Sequence, residues 1–167
     1  MRPSLSAFFF CAALTCAGQV WATTLPDSCG NDTVKFAVKT EEGQPVPAGP
    51  AEGKAQIIFI ENENHMIGPF MNATVRFGVD GSWVGATKGN SYFAVTVDPG
   101  VHHLCAFWEG KNVDVTPLAA EPGKVYYFAA QVNVESKYSI TFGLSPLNED
   151  EGKYLIKESK LSTSKPK

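Results

Sequence analysis

Apolar and polar residues alternate with a period of two along most of this chain, and helical periodicity is nearly absent. In residues 33–39, Val34, Phe36 and Val38 alternate with Lys35, Ala37 and Lys39. After a Pro/Gly-rich spacer at 43–53, residues 54–60 are apolar on both faces, which predicts a central strand. Residues 73–79 set Val75, Phe77 and Val79 against Thr74, Arg76 and Gly78, and Asp80-Gly81 then marks a tight hairpin into a short strand around Trp83, Val84 and Ala86. Residues 91–97 place Phe93, Val95 and Val97 on one side, and Asp98-Pro99-Gly100 turns the chain because Pro presets φ and Gly permits a positive one. Strands are predicted next at 101–108 and 112–118, then, after the Glu121-Pro122-Gly123-Lys124 turn, a closing hairpin at 125–134 and 138–144.

Short strands separated by regular turns predict an all-β protein. The expected fold is a single β-sandwich of about seven to eight mostly antiparallel strands, immunoglobulin- or transthyretin-like, over 33–145. Past Ser145 the pattern changes. Ser145 offers a helix cap with Pro146 in the first turn, and Glu149, Asp150 and Glu151 favour the positive end of a helix dipole. A short C-terminal helix is therefore expected over 146–159, weakened by Gly152, with a flexible tail at 160–167. The segments Ala51-Glu52-Gly53-Lys54 and Glu121-Pro122-Gly123-Lys124 use the same turn chemistry twice.

Composition narrows the function. Of 167 residues, 44% are hydrophobic and 19% charged, with a formal charge of −3, which suits one globular domain and excludes a basic field for nucleic acid. The basic residues are twelve lysines and two arginines, Arg2 and Arg76, so bidentate phosphate clamps are scarce.

Residues 1–22 read as a secretory signal peptide. Arg2 precedes an apolar stretch at 5–14, and Val20-Trp21-Ala22 supplies small residues for cleavage after Ala22. That stretch, roughly 10 to 15 residues, is too short for a comfortable spanning helix, so no transmembrane span is expected in the mature chain. Leu14 and Thr15 are poorly placed for lipidation of Cys16, which argues against lipoprotein anchoring. Removal of 1–22 leaves 145 residues with a charge of −4, and two cysteines, Cys29 and Cys105. In an oxidising periplasmic or extracellular space these two form a disulfide that pins the segment 23–32. Closing a loop of about 75 residues is worth about 4 to 5 kcal/mol by chain-entropy arithmetic.

The stretch 54–128 carries, in order, Gly53-Lys54-Ala55, Val79-Asp80-Gly81 with Val84-Gly85, Ser91-Tyr92-Phe93, Pro99-Gly100 with His102 and Leu104, and Gly123-Lys124-Val125-Tyr126-Tyr127-Phe128. In these pieces it resembles an uncharacterised bacterial exported-protein domain often found in lipoproteins. The central hairpins are also similar to PEGA-type (transthyretin/immunoglobulin-like) modules, without the Pro-Glu-Gly-Ala motif itself. The resemblance covers about half of the mature chain. It implies a bacterial envelope β-sandwich and brings no catalytic residues with it.

Among chemistry-bearing residues, His102 and His103 are adjacent on a strand and point to opposite faces, so they do not share one ion easily. His102 has the parity of Leu104, Ala106 and Trp108, and is expected inward, hydrogen-bonded near the Pro99-Gly100 turn. Cys105 then faces outward, and its disulfide holds the N-terminal segment across the outside of one sheet. In extended form Glu61, Glu63 and His65 align on one side, a weak metal candidate alongside His102 and His103. No nucleophile elbow or phosphate-cradling Gly-rich loop is present, and oxidation of Cys105 would remove the thiolate of a Cys105–His103 dyad. The chain therefore reads as non-enzymatic, with no cofactor-binding motif. An apolar loop with Met66, Ile67, Phe70 and Met71 either folds over one open end of the sandwich and closes the core or offers a surface for an envelope protein partner.

Overall fold

The computed structural model of the protein describes residues 25–42, 47–62, 73–108, 112–136 and 139–167. Ten strands form among them: β1 (Phe36–Glu41), β2 (Ala55–Glu61), β3 (Thr74–Val79), β4 (Ser82–Lys88), β5 (Ser91–Val97), β6 (Gly100–Trp108), β7 (Asn112–Ala120), β8 (Val125–Ser136), β9 (Ser139–Leu147) and β10 (Lys160–Pro166). One helix, α1 (Glu149–Lys157), lies between the last two. The six-stranded sheet runs β1-β10-β5-β2-β8-β9 and the four-stranded sheet β4-β3-β6-β7. Two contacts, β10 with β5 and β2 with β8, are parallel; the rest are antiparallel.

Period-two alternation sends one side of each strand into the space between the sheets. Ile57 and Phe59 from β2 meet Val75 and Phe77 from β3, Phe93 from β5, Leu104 and Trp108 from β6, and Phe128 from β8. At the centre Phe59 lies 4.7 Å from Phe77 and 5.5 Å from Phe93, ring centroid to centroid, in offset and tilted contacts. The alternate residues of β2, Ile58 and Ile60, join Tyr92, Tyr127 and Ile156 of α1 in a second cluster on the other face of the sheet. This explains a strand with no polar side: β2 is central, and a helix roofs its second face.

Two seams join the sheets along their sides. On one, Ser164 Oγ accepts the Ala86 N–H (2.9 Å) while Ser162 Oγ donates to the Ala86 carbonyl (2.8 Å). On the other, Asp114 Oδ2 accepts the Leu144 N–H (2.7 Å) while Thr116 Oγ1 donates to the Leu144 carbonyl (3.3 Å). In each seam, polar side chains two residues apart hold both peptide groups of one residue on an edge strand, satisfying groups that an edge otherwise exposes.

The C-terminal region departs from expectation. Ser145 and Pro146 belong to β9, opposite Ala129 and Phe128, and the helix cap is Asn148. Asn148 accepts from the Glu151 N–H and Glu151 returns a carboxylate to the Asn148 N–H, a capping box. Pro146 shares the parity of Leu144, whose peptide groups face away from β8, so its missing N–H costs no ladder bond. The expected flexible tail is strand β10, paired with β1 along its length and with β5 at Lys160 and Leu161. The strands therefore number ten among the described residues, against the seven to eight expected. Gly152, read as a weakness, sits where an added Cβ would enter the Tyr127 ring.

Candidate functional site

Sequence singled out His102, and the structure builds a charged cluster around it at one end of the sandwich. The Asp80-Gly81 turn has φ of 49° and 83°, the left-handed pair that a two-residue hairpin needs. It sets the Asp80 carboxylate against β6, where Oδ2 lies 2.6 Å from His102 Nδ1 and Oδ1 accepts the His103 N–H at 2.8 Å. The other ring nitrogen of His102, Nε2, is 2.7 Å from the Asp98 carbonyl in the turn before β6. Asp98 in turn is ion-paired with Lys54. The two Gly-Lys turns lie side by side, with the Gly123 N–H donating to the Lys54 carbonyl (2.7 Å).

A carboxylate oxygen and a carbonyl oxygen both only accept, so both ring nitrogens of His102 must donate. Only the imidazolium does this. The hydrogen bond to Asp80, opposed by partial desolvation, holds the His102 pKa above its ordinary value. Desolvation pushes the Asp80 carboxyl up, but the His103 amide and the His102 ring outweigh it and leave it below the usual range. Asp98 is lowered by its hydrogen bond to Lys54. Both ring nitrogens of His102 are engaged by these two oxygens. The arrangement ties three turns together.

The second cluster lies on the outer face of the four-stranded sheet. Residues 25–34 cross this face as an irregular strap, held by the Cys29–Cys105 disulfide with a Cα separation of 5.3 Å. Both cysteines are buried. The Arg76 guanidinium lies between the Trp83 ring (4.7 Å) and the Phe107 ring (4.4 Å), a double cation–π contact. Its Nη1 donates to the strap carbonyls of Asp32 (3.0 Å) and Val34, and Trp83 Nε1 donates to that of Asn31 (2.7 Å). An added Cβ at Gly30 would enter the Trp83 ring, so the strap passes there only as glycine. A recess of about 330 Å3 opens along the strap, lined by Leu25, Pro26, Asp27 and their neighbours as far as Asp32.

The remaining sequence candidates stand apart from these clusters. Glu61 is fully buried at the last position of β2. Glu63, His65, Met66, Ile67, Phe70 and Met71 lie outside the described residues, as do Cys16 and Ala22. His103 is exposed on the face opposite His102. Among the described residues no three or more His, Cys, Asp or Glu side chains are grouped to hold a metal ion, and no helix is long and apolar enough to cross a membrane. Sequence reading placed His102 near the Pro99-Gly100 turn but missed Asp80 as its partner and the Asp98–Lys54 ion pair beside it, although both turns were visible. It also missed the Arg76–Trp83–Phe107 stack, whose one signal was an arginine on a strand in a lysine-rich chain.

No protein-family model matches the chain, and no curated protein sequence matches it.

Proposed function

We propose that this chain is an exported envelope protein whose β-sandwich, of immunoglobulin- or transthyretin-like type and similar to PEGA modules, works as a non-enzymatic binding or structural module. The observation that carries this reading is the buried Cys29–Cys105 disulfide. It joins the two cysteines left after cleavage behind Ala22, and such bonds persist in oxidising compartments. The polar chemistry near it supports a non-catalytic role: Cys105 is oxidised, and both nitrogens of His102 are occupied. The partner surface in this reading is the apolar segment with Met66, Ile67, Phe70 and Met71.

Mass spectrometry and N-terminal sequencing of the protein from its own cells test the export half. The expected result is a chain beginning at Thr23 with the two thiols joined; Met1 retained and both thiols free overturns it. Crosslinking in the intact envelope tests the binding half. Met66→Asp with Phe70→Asp should abolish partner capture and leave the unfolding midpoint in place, whereas measurable turnover without any captured partner rejects the reading.

A further inference from the structure

The ribbon formed by β1 and β10 has two unlike faces. Ser162 and Ser164 point to β4, where they hold Ala86. The opposite face, by strand alternation and register, carries Lys35, Ala37 and Lys39 beside Thr163, Lys165 and Lys167. Lys167 donates its N–H to the Lys35 carbonyl (2.8 Å), so these two lysines lie directly across from each other. Lys165 is opposite Ala37 and diagonal to both Lys35 and Lys39. All four lysines are exposed, and none takes part in an ion pair among the described residues. Of the acids near this ribbon, Glu41 follows Lys39 on the same face at the end away from Lys35 and Lys167, and Glu42 pairs there with Lys160 (2.9 Å).

Like charges placed opposite one another weaken a sheet. Here they are gathered in a chain of net negative charge, separated only by small residues. Neighbours across and along the strands are about 5 to 7 Å apart, so each lysine lies within one screening length, about 10 Å at 0.1 M salt, of the next. The four charges therefore act together. Their chemistry selects the partner: lysine is a mobile point charge on a flexible stem, and the face holds no arginine fork to grip a single phosphate. A lysine-rich face whose only cations are flexible ammonium groups matches a surface of diffuse negative charge.

We propose that this face of the β1–β10 ribbon docks the protein on the anionic headgroups of a phospholipid bilayer, with Lys35, Lys39, Lys165 and Lys167 as the contacts. The surface is a property of the folded ribbon and stands whether or not the protein-partner reading above holds. Adsorption is reversible and salt-sensitive, and each lysine contributes about fivefold to the partition constant.

Co-sedimentation of the disulfide-bonded chain with vesicles tests this, using phosphatidylcholine alone and phosphatidylcholine mixed with phosphatidylglycerol, at low and high salt. Binding is expected to the mixed vesicles only, and to vanish at high salt. Changing all four lysines to Gln should lower it several-hundredfold, with an unfolding midpoint equal to or above that of the wild type. Lys165→Gln with Lys167→Gln should lose about thirtyfold, whereas Lys88→Gln with Lys124→Gln, elsewhere on the surface, should lose little. No binding to the mixed vesicles overturns the proposal, as do equal losses for the two pairs or binding to soluble polyphosphate in place of vesicles. Self-association of the four-Gln variant with unchanged vesicle binding also overturns it, assigning the lysines instead to protection of an edge strand.

Discussion

The two sheets solve the same problem on their outer faces by different means. Over the six-stranded sheet, α1 lays Ile156 and Leu155 on Ile58, Ile60, Tyr92 and Tyr127, and its own peptide groups are satisfied within the helix. Over the four-stranded sheet lies a strap with no regular structure, whose carbonyls need partners from the sheet and find them in Arg76 and Trp83. The helix buries greasy side chains and needs no covalent tie. The strap buries little of that kind and has a disulfide instead. A covering segment can thus be held by apolar area or by a crosslink with specific polar contacts, and the two respond to different perturbations.

The largest separation between the faces is expected on removing the crosslink. Cys29→Ser with Cys105→Ser should lower stability by about 3 to 5 kcal/mol in urea unfolding, and amide exchange should rise in 25–34 while 149–157 stays protected. Arg76→Lys keeps the charge and loses the planar fork, and should cost about 2 kcal/mol with faster exchange confined to the strap. On the helical side, Gly152→Ala reverses the usual sign. In an exposed helix the change stabilises by about 1 kcal/mol, but here the new methyl meets the Tyr127 ring, and a loss of about 1 to 2 kcal/mol is expected by calorimetry.

The smallest effect separates both faces from the charged end. The His102 pKa is raised on folding, so its contribution is fully present below the unfolded value near 6.5 and is lost as pH rises through the folded value. Asp80 is lowered, so its contribution is present above about pH 4 and is lost as pH falls through its folded value. The unfolding free energy from urea titrations should therefore decline on the alkaline side, by about 1 kcal/mol or less, and Asp80→Asn should flatten that decline. A wild-type midpoint constant from neutral to alkaline pH would show that the pair contributes nothing.

Much of this architecture was legible in the chain because apolar alternation marks strands that bury a face. The doubly apolar run of β2 announced its central position, and the Asp80-Gly81 and Pro99-Gly100 turns fell where they were expected. Strand parity alone put His102 and Cys105 on opposite sides of β6. What escaped was structure held by polar groups. β10 has Leu161 as its one large apolar residue and is fixed by pairing with β1 and by two serine hydroxyls, none of which leaves a hydrophobic period. Ser145-Pro146 imitates a helix start, and only the edge position of β9 makes proline harmless there; Asn148 and Glu151, three apart, carried the true signal. The stack at Arg76 escaped because it depends on a strap whose path is set by a bond between distant cysteines.

The pairing of β1 with β10 sews the first strand of the sandwich to the last. A polypeptide emerging from its N-terminus must carry β1 without a neighbour until nearly everything else has followed. Such distant pairing is slow, since a long loop closes before any contact rewards it. Completion of the six-stranded sheet therefore waits on its last strand. Losing β10 would strand β1, bare one side of β5 and release both peptide groups of Ala86, so damage in 160–166 is felt about 120 residues earlier in the chain.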